Sequence, residues 1–190
     1  MPKQEYKSAI RSKSFIKHAL VKLLTEKNLD RITVTEVIET SGISRGTFYS
    51  HYKSLDDVLN QIVDDEYNKI VGLIGENCEI YFNPDNVLMV VSTIFDYISD
   101  DKDYYTGIIG YKPLFDSVMA KISGKYQEQA FKVIKEKCTI QSDDEANYVL
   151  VYTVGGIIYE ILKWAKDETE LNAEMVVNIM SSMFRNYIKK

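Results

Sequence analysis

The chain has 190 residues, 45% of them hydrophobic and 27% charged, a composition that supports a buried core and excludes a disordered or collagen-like chain. Its three prolines stand at positions 2, 84 and 113, which leaves two long proline-free runs and favours helices over loop-rich β architecture. The net charge of −5 argues on its face against nucleic acid, but residues 1–55 carry +5 and residues 56–190 carry −10, the pattern of a basic contact module joined to an acidic body.

Ile16, Leu20, Leu23 and Leu24 recur at helical spacing within Ser8 to Lys27, so a first amphipathic helix is expected there. Its other face carries Arg11, Lys13, Lys17, His18 and Lys22, and His18 is given only a surface role. Thr33 with Glu36 three residues on has the form of a capping box. It opens a short second helix with Val34, Val37 and Ile38 on its apolar side. Gly42 ends that helix at a tight turn. Ser44 caps a third, from about Arg45 to His51, and Ser54 starts a fourth at Leu55, with Asp56 and Asp57 in its first turn.

Gly72, Gly75, Asn83 and Pro84 mark the next break. Three amphipathic stretches follow. Val87, Val91, Ile94 and Ile98 line one, Leu114, Val118, Ile122 and Tyr126 a second, and Met175, Ile179, Met183 and Tyr187 the last. Between them Tyr148 to Leu162 is almost wholly apolar, yet shorter than a membrane span and interrupted by Glu160. It reads as a core or interface helix. The pattern predicts an all-α fold of about nine helices.

Cys78 and Cys138 are sixty residues apart, and no metal spacing or disulfide framework can be read from one such pair. With a polar N-terminus that lacks the apolar stretch of a signal peptide, they point to a reduced cytoplasmic protein without a membrane partner. The acidic runs Asp64 to Glu66, Asp100 to Asp103 and Asp143 to Glu145 lack a calcium-loop pattern, so they are expected to solvate a surface or cap helices. No phosphate loop, Ser/His/Asp spacing or metal set points to an enzyme or a cofactor.

The strongest signal runs from Thr33 to Tyr52: two short helices about a glycine turn, inside the basic segment. That is a helix-turn-helix, whose second helix enters the major groove. Its outward side chains would be Arg45, Thr47, Tyr49 and Ser50, with Ile43 and Phe48 inward. Arg45 has the fork that pairs with guanine O6 and N7, and Thr47 suits a thymine methyl or a phosphate. Tyr49, His51 and Lys53 carry donors for phosphate oxygens. Thr33 and Ser44 present helix N-termini, which attract phosphate.

At Thr33, Gly42-Ile43-Ser44, Gly46-Thr47-Phe48-Tyr49, His51-Tyr52 and Leu59 the sequence resembles the TetR family of bacterial transcriptional regulators. The resemblance spans about the first 60 residues. It implies three helices forming a DNA-binding domain and a fourth leading into a helical body that binds an effector and dimerises through its last two helices. The family's DNA-contacting roles map onto Thr33, Ser44, Arg45, Gly46, Thr47, Tyr49 and His51. Where the family has a lysine at the start of the fourth helix, this chain has Leu55, with Lys53 the nearest replacement.

The expected division is therefore a DNA-binding domain over 1–55 and a ligand-binding and dimerisation domain over 56–190, linked through a fourth helix at about 55–76. Phe95, Tyr105, Phe115, Tyr126 and Tyr152 are candidates for an apolar pocket, against ordinary core packing. Gly155 and Gly156, with Tyr159, Met175, Ile179 and Met183, are candidates for a dimer interface, against a kink that lines a pocket. The expected partners are an operator duplex, a second copy of the chain, and either a small-molecule effector or a protein bound by the body.

Overall fold

Capping chemistry sets the ends of the N-terminal helices. In a computed structural model that describes residues 3–75, 86–138, 140–166, 171–172, 174–176, 178–179 and 182, α1 spans Lys3–Glu26, α2 Val34–Ser41, α3 Arg45–His51 and α4 Leu55–Ile74. A 3-10 turn, Leu29–Arg31, joins α1 to α2. Then come α5 (Val87–Ser99), α6 (Lys102–Gly110), α7 (Lys112–Cys138) and α8 (Asp143–Ala165). The fold is all-α, with no strand among the described residues. The sequence pattern passed over α6, where Gly107 and Gly110 interrupt the apolar period. Asn83, Pro84, Met183 and Tyr187 lie outside the described residues.

Thr33 Oγ1 accepts from the Glu36 amide at 3.2 Å, and a Glu36 carboxylate oxygen accepts from the Thr33 amide at 2.8 Å. Two orphan amides of α2 are thus satisfied reciprocally. Glu36 also pairs with Lys27. That bond, then those from Thr33, hold the Glu36 carboxyl down to about 2 from an ordinary 4.5. Ser44 accepts from the Thr47 amide at 3.0 Å to start α3, and Ser54 from the Asp57 amide at 3.2 Å to start α4. Ser142 and Glu145 form a second capping box at α8.

The chain divides into two compact units, residues 1–68 with 103–118, and residues 69–102 with 119–190. In the first, Ile16, Leu20, Leu23 and Leu24 of α1 are buried as their spacing predicts. α2 and α3 pack on α1 and on each other. Val58, Ile62 and Glu66 form the inner stripe of α4. The acidic run there is solvated only at Asp64: Glu66 falls two turns beyond Val58 on the buried side, and Asp65 pairs with Lys17.

α6 enters this unit through Tyr104, Tyr105 and Ile108. A Cβ on Gly107 would stand 2.5 Å from Val21 Cγ1 of α1, so only glycine permits this approach. His18 is not a plain surface residue either. It stacks on Tyr104 with ring centroids 4.3 Å apart, and its Nδ1–H donates to the Ser14 carbonyl at 2.7 Å. The aromatic partner comes from a segment more than eighty residues away, which is why helical periodicity alone put His18 outside.

In the second unit the Phe95 ring packs against Trp164 with centroids 4.8 Å apart, and Ile98, Ile161 and Ala165 are buried. The Tyr126 hydroxyl donates to the Gly75 carbonyl at 2.8 Å, just past α4, where Gly75 takes a φ of 72°. α8 is long and apolar enough to cross a bilayer by composition alone. Its apolar side is not core: Tyr148, Val151, Tyr152 and Tyr159 are exposed, as are Gly155 and Gly156.

Three outcomes are expected in equilibrium unfolding. Gly107→Ala should lose about 1–3 kcal/mol through overpacking against Val21, and adding Val21→Ala should restore most of it. Thr33→Ala should cost about 1 kcal/mol as a lost cap. Because the Glu36 carboxyl is depressed, its contribution is present above pH 4.5 and lost as pH falls toward about 2. Glu36→Gln should flatten that acid limb.

Candidate nucleic-acid interface

The turn between α2 and α3 depends on Gly42, which sits in the left-handed region at φ 66° and ψ 21°. A side chain there would be strained. Val37 on one side of the turn and Phe48 on the other are fully buried and seat the two helices on α1. The opposite side of α3 faces outward. Arg45, Gly46, Tyr49 and Ser50 are exposed there, with Tyr49 at 47%. The Arg45 guanidinium lies 5.6 Å from the Tyr49 ring centroid, a cation–π contact that orients the fork without using its donors. Such an arc presents a bidentate donor and a phenol side by side on one helix, which suits a base edge and an adjacent phosphate.

Ser44, Thr47 and Thr33 stand at the rim of this surface with their hydroxyls already engaged. Ser44 Oγ and Thr47 Oγ1 are 2.8 Å apart, and Thr33 Oγ1 donates to Glu36 at 3.0 Å. Lys53 is exposed, and its amide donates to Asp57 at 2.8 Å. Leu55, where the family has lysine, is half-buried and lines an open groove with Asn28, Leu29, Asp30, Asp56 and Tyr111.

His51 faces the other way. Its Nε2 lies 2.7 Å from Ser12 Oγ of α1. It follows Phe48 by three residues, which puts it on the inner side of α3. Tyr52 is buried beside it, with Lys13 Nζ 5.8 Å from the Tyr52 ring centroid. Burial, then the Lys13 charge, pushes the His51 pKa below its ordinary 6.5. Burial and Asp65 push the Tyr52 hydroxyl up to about 12.

Sequence reasoning missed Ser12. The signal was present: Ser12, Ile16 and Leu20 are spaced by four, so Ser12 is the polar first member of the buried stripe. It also overcounted the contact charge of the basic segment. Lys17 pairs with Asp65 and Lys27 with Glu36, so two of its ten cations are turned to structure.

The pocket candidates fall in both units. Tyr105 is buried and Phe115 half-buried in the first unit. In the second, Phe95 is core, Tyr126 ties down Gly75, and Tyr152 is 75% exposed. An open groove of about 390 Å³ in that unit is lined by Glu128, Phe131, Lys132, Lys135, Glu136 and Asp143, and by none of these five. Of the interface candidates, Gly155, Gly156, Tyr159, Met175 and Ile179 are all exposed, while Met183 lies outside the described residues.

Residues 16–62 match the family model for bacterial regulatory proteins of the tetR family, and residues 85–186 match one for a transcriptional regulator C-terminal region. No curated protein matches the chain by sequence. Among solved structures, a protein assigned as a TetR-family transcriptional regulator from Syntrophomonas wolfei aligns with a TM-score of 0.62 at 14% identity, covering 94% of this chain and 95% of that one. A TetR transcriptional regulator from Streptococcus agalactiae 2603V aligns with a TM-score of 0.56 at 18% identity, covering 95% and 97%. At those identities the structures share the fold, and the two sequence models together span the helix-turn-helix and most of the body. The chain belongs to the TetR family of bacterial transcriptional regulators.

Proposed function

We propose that this regulator works in the cytoplasm as a homodimer that represses transcription by binding a pseudo-palindromic operator, and that an effector bound by the body releases it. The observation that carries the proposal is the outward arc of α3. Arg45 reads a base there, while Tyr49, Lys53 and the capped helix starts at Thr33 and Ser44 position the backbone, with Gly46 and Thr47 giving close approach. Two-fold symmetry places two such helices one helical turn of DNA apart. The acidic body confines duplex to the basic end.

The second copy covers the α8 stripe. Tyr148, Tyr152, Gly155 and Tyr159 follow one another at spacings of four, three and four, all exposed, and Met175 and Ile179 add exposed apolar area from the helical residues that follow. A face this apolar on a soluble regulator needs a cover. The effector acts by binding one dimer conformation better than the other. If the body instead recruits a protein, the chain is a co-regulator, and the same stripe is the surface that partner would use.

Selection of duplexes from a random-sequence pool, followed by footprinting, tests the reading. A two-fold symmetric footprint is expected, and no selected sequence would count against it. Arg45→Ala should cost about 1–3 kcal/mol on the selected duplex and relax preference at one position, whereas Tyr49→Phe should weaken all duplexes alike. Equal loss on every variant operator after Arg45→Ala would remove the base-reading role. Tyr152→Glu with Tyr159→Glu should turn a dimer into a monomer by light scattering and weaken operator binding about a hundredfold or more. A chain that is monomeric before substitution would favour the co-regulator.

A further inference from the structure

Phe48 fixes how deeply α3 sits on α1, because its ring is fully buried. Apolar packing is non-directional, however, and leaves the rotation of a short helix about its own axis weakly defined. α3 has seven residues, so its own hydrogen bonds hold it poorly. At its N-terminal end the Ser44 cap and Gly42 constrain it. At its C-terminal end the directional tie is the bond between His51 Nε2 and Ser12 Oγ, 2.7 Å long and bridging 39 positions of sequence.

Ser12 is itself fixed. Its Oγ lies 3.1 Å from both the Ser8 and the Ala9 carbonyl oxygens of α1. Those carbonyls and the shorter bond to His51 Nε2 hold the hydroxyl between the α1 backbone and the imidazole. Nε2 is thereby turned to α1, on the inner side of α3.

We propose that Ser12 and His51 are a positioning pair: their bond sets the rotation of α3 and thereby the presentation of Arg45 and Tyr49, and His51 serves DNA binding through that bond, not as a phosphate ligand. The proposal rests on the DNA-reading role of α3. It replaces the phosphate contact that the family resemblance implies for His51.

The test compares affinity for a duplex selected by the wild-type protein with affinity for a random-sequence duplex of equal length, as a function of salt. Ser12→Ala and His51→Ala should each lower the specific-to-random ratio by about three- to tenfold, the worth of one hydrogen bond. The double variant should be no worse than either single one. His51→Gln, whose amide can hydrogen-bond where Nε2 does, should keep the ratio within about twofold. The salt slope should stay unchanged in all four variants. A slope shallower by about one unit after His51→Ala would mark a lost phosphate contact and overturn the proposal. So would a fall in melting temperature with no change in the ratio, which would make the pair merely structural. A wild-type chain that prefers no duplex would overturn the DNA-reading role first and this pair with it. Unaltered ratios in the variants of a selective wild-type chain would overturn the pair alone.

Discussion

A helix of seven residues is too short to persist by itself in water, because nucleating it costs more than its few internal hydrogen bonds return. Yet α3 is the element that must present Arg45 and Tyr49 in a fixed setting. The rest of the N-terminal unit answers to that constraint. Gly42 makes the turn in a backbone region closed to most residues, Ser44 satisfies the first amides, and Phe48 anchors the middle. His51 ties the far end to Ser12. Each device is small, and none acts where another does.

α1 is the common support for these devices. One side of it receives α2 and α3 and carries Ser12 and the buried leucines. Val21 and His18 meet residues from 103–118, through the close approach at Gly107 and the stack on Tyr104. The unit that holds the helix-turn-helix is therefore closed by a segment far away in sequence. The close approach rests on Gly107, where a Cβ would stand 2.5 Å from Val21 Cγ1.

The body uses its aromatic residues in two ways. Phe95, Trp164 and Tyr126 do ordinary work inside the second unit, two by ring packing and one by a hydroxyl that closes on the Gly75 carbonyl. The tyrosines of α8 do the opposite. They stay outside in the single chain, and an apolar stripe of that kind is stabilising only when something covers it. An aromatic count does not separate these uses, because ring packing, pocket lining and interface formation draw on the same residue types.

How far the sequence reaches follows from the range of each interaction. Caps, turns and helical faces are local. Thr33 with Glu36, Gly42, Ser44, Ser54 and the buried stripe of α1 were all legible, because each depends on neighbours within four residues. The divided charge and the helix-turn-helix were legible for the same reason, and with them the all-α fold and the family. Non-local contacts were not. His18 was placed outside until Tyr104 supplied a ring. Two acids of α4 looked solvated, but Glu66 falls on the inner stripe and Lys17 reaches Asp65. His51 was read toward phosphate, and the contact of its Nε2 with Ser12 could not be read from spacing. In every case the residue type and its helix were fixed by local chemistry. Which way the side chain was used waited on a partner brought from elsewhere in the chain, and only tertiary packing chooses that partner.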